Sequence, residues 1–245
     1  MPRFDNEDTQ VMNVPNSSFT FSVVKPEKLE ASEYTLVTIL VDISGSVTNF
    51  ADDLLKMVKT AISACKKNSR AENILVRVGT FAEGLYEVHG FIPLNSINPD
   101  DYLSLRCGGG TALFDAAYSS IGATVAYSKS LVDQYYSVNS VVYIITDGRN
   151  TDSVKSPKDI KDLISDSIFS EIINGMVTIL VGINATPSIS YLKRFKDDAG
   201  LDYFIDAGQA TEENLAKFAG FMSKSISSHS QSIGTSKGNS SNFQF

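Results

Sequence analysis

Histidine and cysteine are scarce, two of each in 245 residues, and each shortage removes a class of chemistry. A serine hydrolase needs an imidazole base beside its nucleophile. His89 falls on a predicted edge strand and His229 in a polar tail, neither near the end of a buried strand. No nucleophile elbow is present. The phosphate-binding pattern GxxxxGK[ST] is missing too, because Gly110-Thr111 runs into Ala112-Leu113 without a lysine. Two cysteines are too few to staple a secreted scaffold, so Cys65 and Cys107 read as free thiols in a reducing compartment, with a single pair between them as the alternative. No stretch is apolar for the length of a bilayer, and the opening MPRFDNEDTQVMNVPNSSF has no continuous apolar block of the kind an export signal carries. Basic excess is lacking as well: 21 Lys and Arg against 28 Asp and Glu leave a net charge of −7. That balance opposes wrapping a phosphate backbone or lying on an anionic membrane. The expectation is a cytoplasmic protein with neither nucleic acid nor membrane as partner; self-association stays undecided.

What the chain does have is a set of strand ends rich in oxygen. Tyr34 to Val41 (YTLVTILV) reads as a strand buried on both faces, and Asp42-Ile43-Ser44-Gly45-Ser46 follows it at once. One carboxylate and two hydroxyls emerge together there, with Gly45 permitting a sharp turn, which suits a hard divalent cation such as Mg²⁺. Cys107-Gly108-Gly109-Gly110-Thr111 ends a loop and opens a helix, offering a third hydroxyl. Val138 to Ile145 is a second buried strand, followed by Thr146-Asp147-Gly148 and so by a second carboxylate. In a parallel sheet such ends lie on one edge, where residues distant in sequence converge.

This order, DxSxS, then Thr after a glycine run, then TDG after an apolar strand, closely resembles the von Willebrand factor type A family over about residues 34–228. The resemblance implies a metal-ion-dependent adhesion site made of Asp42, Ser44, Ser46, Thr111 and Asp147. In such a site the three hydroxyls bind Mg²⁺ (or Mn²⁺ or Ca²⁺) directly while the two carboxylates act mostly through water and hydrogen bonds. The ion then keeps much of its charge and accepts an acidic residue of a partner protein, a clasp and not a catalyst. The expected activity is therefore binding, with no enzyme. Metal-assisted hydrolysis, phosphotransfer, or a scaffold role in an ATPase or virion assembly are the alternatives. A phosphotransferase using Asp42 as nucleophile would want a second acid where Ser44 stands. Glu83, Arg149, Asn150 and Asp152 lie on loops at the same edge and are candidates for a partner-binding rim. Gly108 to Ala116 and the Ser-rich end of the chain look most like bacterial or phage proteins related to the tellurium-resistance group, which implies a stress or metal-response setting.

Around these motifs, buried strands alternate with amphipathic helices. Helices are predicted near residues 50–65, 111–136, 160–173, 189–198 and 215–226, and further strands at 74–81, 85–91, 176–183 and 203–205. The pattern predicts a doubly wound α/β fold, a mostly parallel sheet between helices with a short antiparallel edge strand. Residues 1–33 form an N-terminal extension whose Phe19 to Val24 could add a strand, residues 34–228 the main domain, and residues 229–245 a Ser- and Gly-rich tail with little to bury.

Overall fold

The computed structural model describes residues 7–169 and 175–231. Eight strands form one sheet: β1 (Thr9–Asn13), β2 (Thr20–Val24), β3 (Glu33–Asp42), β4 (Ile74–Phe81), β5 (Leu85–Pro93), β6 (Ser137–Thr146), β7 (Met176–Gly182) and β8 (Tyr203–Asp206). Five helices cover it: α1 (Ala51–Cys65), α2 (Leu113–Val132), α3 (Pro157–Phe169), α4 (Ile189–Asp198) and α5 (Glu212–Gln231). The strand order is β1-β2-β5-β4-β3-β6-β7-β8. From β4 through β8 the neighbours β4, β3, β6, β7 and β8 run parallel, while β5 is antiparallel to β4.

The chain leaves β3 for β4 on one side and later returns for β6 on the other. Between β3 and β6, therefore, the direction of winding reverses, and their carboxyl ends open a crevice where ligands gather in such sheets. Alternation along β3 builds both layers. Val37, Ile39 and Val41 join α1 and α5 in one core. Leu36 and Leu40 join α2 and α4 in the other, and Thr38, between them, shares its hydroxyl with Thr124 of α2 at 2.8 Å.

Two boundaries differ from the sequence reading. The antiparallel strand expected at the edge is present as β5, but the sheet continues past it. The N-terminal extension contributes a whole hairpin, β1 antiparallel to β2 and β2 parallel to β5 at Val23 and Phe91. This approach is close enough that a Cβ on Gly90 would lie 1.8 Å from the Ser22 carbonyl oxygen. Residues 229–231, expected to open the tail, belong to α5, which runs to Gln231 with His229 and Ser230 buried. Phe243 and Phe245, considered as a docking motif, lie outside the described residues, as does the end of the helix expected to reach 173.

A buried ionic group fastens the hairpin. Arg77, fully buried in β4, donates from Nε to Glu87 Oε2 at 3.2 Å and from Nη1 to Ser120 Oγ at 3.4 Å. Its guanidinium lies 5.5 Å from the Phe19 ring and 6.0 Å from Phe21, and Nη2 has no hydrogen-bond partner among the described residues. Glu87 Oε1 in turn accepts from Ser22 N at 3.0 Å and Ser22 Oγ at 2.6 Å. Four elements thus meet at one charge pair.

His89 of β5 is buried beside it. Its Nδ1 faces the Gly90 carbonyl at 2.8 Å and its Nε2 faces the Tyr102 hydroxyl at 2.7 Å. A carbonyl only accepts, so Nδ1 carries the hydrogen and Nε2 accepts from Tyr102. Burial pushes the His89 pKa down from 6.5 to about 4. With the folded value below the unfolded one, this contribution is complete above the unfolded pKa and is lost as pH falls toward the folded one, about 3 kcal/mol in all. Urea unfolding at neutrality and at pH ~4.5 should show His89→Gln less acid-sensitive than the parent by about 2 kcal/mol, most of that total. Equal pH slopes would refute the assignment.

Candidate metal centre

The turn after β3 folds back on itself. Asp42, 1% exposed, accepts from Ser44 N at Oδ1 (2.7 Å) and from Thr146 Oγ1 at Oδ2 (2.6 Å). Ser44 Oγ lies 3.2 Å from Ser46 Oγ, and Ser46 Oγ donates to Asp147 Oδ1 at 2.8 Å. Four of the five expected residues are therefore joined in one chain of contacts across the β3–β6 crevice.

Thr111 is delivered by backbone. Gly108 N donates to Ile43 O at 2.9 Å and Gly45 N to Gly109 O at 3.1 Å, which seats the glycine run on the turn. Thr111 N then donates to Thr151 Oγ1 at 2.7 Å and Asp152 Oδ2 at 3.1 Å. The Thr111 carbonyl accepts from Thr151 N at 2.9 Å, and its hydroxyl has no hydrogen-bond partner among the described residues. A Cβ on Gly110 would fall 1.7 Å from Asp152 Oδ2, so a larger residue there would have to push that carboxylate off Thr111.

The rim candidates divide. Glu83 is exposed and accepts from Gly110 N at 3.3 Å. Arg149 leans away from the crevice, donating to Pro187 O at 3.3 Å with its guanidinium 5.5 Å from the Tyr191 ring, so it does not crowd the site. Asn150 and Asp152 are spent on the first turn of α2: Asn150 Oδ1 faces Phe114 N at 3.4 Å and Asp152 holds Thr111. Sequence reading overlooked Thr146 as the residue that fixes Asp42, and Thr151 and Ser153 as the partners of the α2 amino end. Ser153 Oγ accepts from Phe114 N at 3.0 Å and Asp115 N at 3.1 Å. Thr146 was visible beside Asp147 in the TDG string; the others carry no local signal, because their partners are some forty residues away.

Burial pushes both the Asp42 and Asp147 carboxyls up, with Asp147 adding to the effect on Asp42. Neither has an ion-pair partner among the described residues. No group of three or more His, Cys, Asp and Glu side chains that could hold a metal occurs among the described residues; the centre has two carboxylates, and hydroxyls supply the rest. Such a donor set is hard, oxygen-only and incompletely charged, which fits Mg²⁺, Mn²⁺ or Ca²⁺ better than a soft metal.

Neither a family model nor a curated protein matches the chain. Solved structures do. The PilB minor pilin from Streptococcus sanguinis aligns with TM-score 0.52 at 15% identity over 81% of this chain and 62% of its own. Proximal thread matrix protein 1 from the mussel byssus, solved with a zinc-occupied MIDAS motif, aligns with TM-score 0.52 at 16% identity over 81% of this chain and 47% of its own. The fold is of the von Willebrand factor type A kind. The pilus adhesin SpaC from Lactobacillus rhamnosus GG shares it, with TM-score 0.57 at 12% identity over 91% of this chain and 35% of its own. This chain thus spans between about one third and two thirds of the length of these three proteins. No helix among the described residues is long and apolar enough to cross a membrane.

Proposed function

We propose that the protein is a metal-dependent protein–protein interaction module. The observation that carries this reading is the run of contacts that links the Asp42 and Asp147 carboxylates, neither with a counter-ion among the described residues, through the Ser44 and Ser46 hydroxyls, with the glycine run before Thr111 seated on the same turn, at the point where the sheet reverses its winding. Ser44, Ser46 and Thr111 would hold a divalent cation, most simply Mg²⁺, and Asp42 and Asp147 would orient them. A bound ion of this kind supplies a Lewis-acidic position open to an acidic residue of a partner protein. The protein's own part is to hold the hydroxyls in place, through the Asp42–Thr146 and Thr111–Asp152 bonds, before the ion arrives.

The adhesin and pilin relatives in fold agree with a binding role, and Cys65 and Cys107 being free thiols agrees with a cytoplasmic setting. A stress or metal-response role of the tellurium-resistance type is the finer reading, supported by the Gly108–Ala116 string and the Ser-rich end of the chain. Titration of Mg²⁺ and Mn²⁺ into the chelator-stripped protein by calorimetry is the test. One site per chain is expected, weakened about tenfold or more by Ser46→Ala; a variant that binds as well as the parent removes Ser46 from the ligand set.

We also read the protein as no enzyme. His89 is closed off by Tyr102, and His229 bonds the Gly175 carbonyl beside the amino end of β7, opposite the crevice. Phosphatase, nucleotidase and esterase assays with Mg²⁺ or Mn²⁺ should give no turnover above that of Asp42→Ala. A rate abolished by that substitution would reverse the conclusion.

A further inference from the structure

A cavity of about 310 Å³ opens beside the hydroxyl cluster, within the size range of ligand pockets. Its walls are apolar, chiefly Ile43, Leu55, Val58, Val78, Val88 and Leu105. Three facts join it to the candidate metal centre. Ile43 lines the cavity and lies between Asp42 and Ser44. The Ile43 carbonyl accepts from Gly108 N at 2.9 Å. The cavity's outer wall, residues 101–106, runs directly into the glycine run that delivers Thr111.

The charges at its mouth are unequal in availability. Asp101 is engaged by Asn98 at 3.0 Å, and Glu87 by Arg77 and Ser22. Arg106 is exposed and forms no ion pair among the described residues. Leu103, on the same wall, is 77% exposed and extends the apolar surface beyond the hollow. Glu87 is paired with Arg77, but Asp101, bonded to a neutral amide, keeps its charge, so Arg106 is the exposed cation of a mixed-charge mouth with an apolar surface behind it.

We propose that the cavity and the metal centre form one two-part recognition surface for a protein segment carrying an acidic residue and, close by in its sequence, a bulky aliphatic or aromatic side chain. The acid addresses the hydroxyl cluster, with Arg106 adding attraction, and the apolar side chain enters the cavity. Because Ile43 borders both subsites, the two partner side chains belong about one to three residues apart on an extended chain. This rests on the metal-dependent reading above and adds the partner's second determinant. Burying one Leu or Phe side chain corresponds to roughly tenfold to a hundredfold in affinity.

The probe is a random peptide library displayed on phage, panned against the immobilised full chain in Mg²⁺, with the enriched peptides then synthesised. Enrichment should pair Asp or Glu with Leu, Ile, Met or Phe at a fixed spacing. Replacing that apolar residue by Ala should weaken binding about tenfold or more, and Leu55→Trp, which fills the cavity, should do the same while leaving Mg²⁺ affinity unchanged. Leu103→Ser, at an exposed position that tolerates change, should weaken binding a few-fold and stands in if Leu55→Trp fails to fold. Peptides selected for an acid alone, or indifferent to Leu55→Trp and Leu103→Ser, overturn the proposal and leave the metal reading standing. Apolar peptides without an acid, bound equally in chelator, overturn both, and failure to enrich any peptide overturns the proposal.

Discussion

Glu87→Ala should lower the unfolding free energy by about 3–5 kcal/mol, the usual result of stripping one partner from a buried ion pair. The substitution leaves Arg77 charged and fully buried with only Ser120 and two aromatic faces beside it, and it also orphans Ser22 N. Burial already works against the Arg77 charge, which Glu87 offsets. Replacing the pair together, as Arg77→Met with Glu87→Leu, should recover most of the loss, because well-packed apolar groups of similar volume replace such pairs at little net cost. Urea unfolding of the two variants is the measurement. A loss below about 1 kcal/mol for Glu87→Ala would mean that the pair behaves as a surface contact.

The second large effect is expected to be a split between stability and binding at Asp42. Asp42→Asn keeps an acceptor for Ser44 N, and Thr146 can turn its hydroxyl to accept from the new amide. It also removes a carboxylate whose charged form burial disfavours. In chelator, its melting temperature should equal or exceed that of the parent. In Mg²⁺ its affinity should fall by about a hundredfold, at the upper end for residues that orient metal ligands, and the parent alone should gain stability from the ion. A variant that melts lower in chelator, or that binds Mg²⁺ undiminished, contradicts this account of why a buried acid stands at the end of β3.

The centre was legible in the sequence because its parts sit where periodicity breaks: the apolar strand at 34–41 ends on Asp42, and the one at 138–145 leads into Thr146-Asp147. Those boundaries proved nearly correct, β3 ending at Asp42 and β6 at Thr146. What could not be read was anything set by pairing between distant segments. Asp152 and Asn150 carry the same letters whether they face a partner or hold the amino end of α2, and only the fold brings Thr111 N to Asp152. Arg77 in ILVRVGTF looks like a polar interruption of a strand. Its counter-charge lies on the next strand and its aromatic neighbours on β2 and the loop before it, so burial of a guanidinium had no local cue. The same holds for the hairpin, where alternation in residues 19–24 indicated a strand but not which edge would receive it.

That hairpin also sets a timetable. The strand that receives it follows by 65 residues, the separation of Ser22 from Glu87. At a synthesis rate of about 5–20 residues per second, β1 and β2 wait roughly 3–13 s for β5 to be made, and longer for it to clear the ribosome. Throughout that interval Phe21 and Val23, covered in the finished sheet, lack Phe91 and the α2 side chains of their core. A segment made before its partner strand is among the last to be secured, which makes this hairpin a place where a chaperone would engage the growing chain.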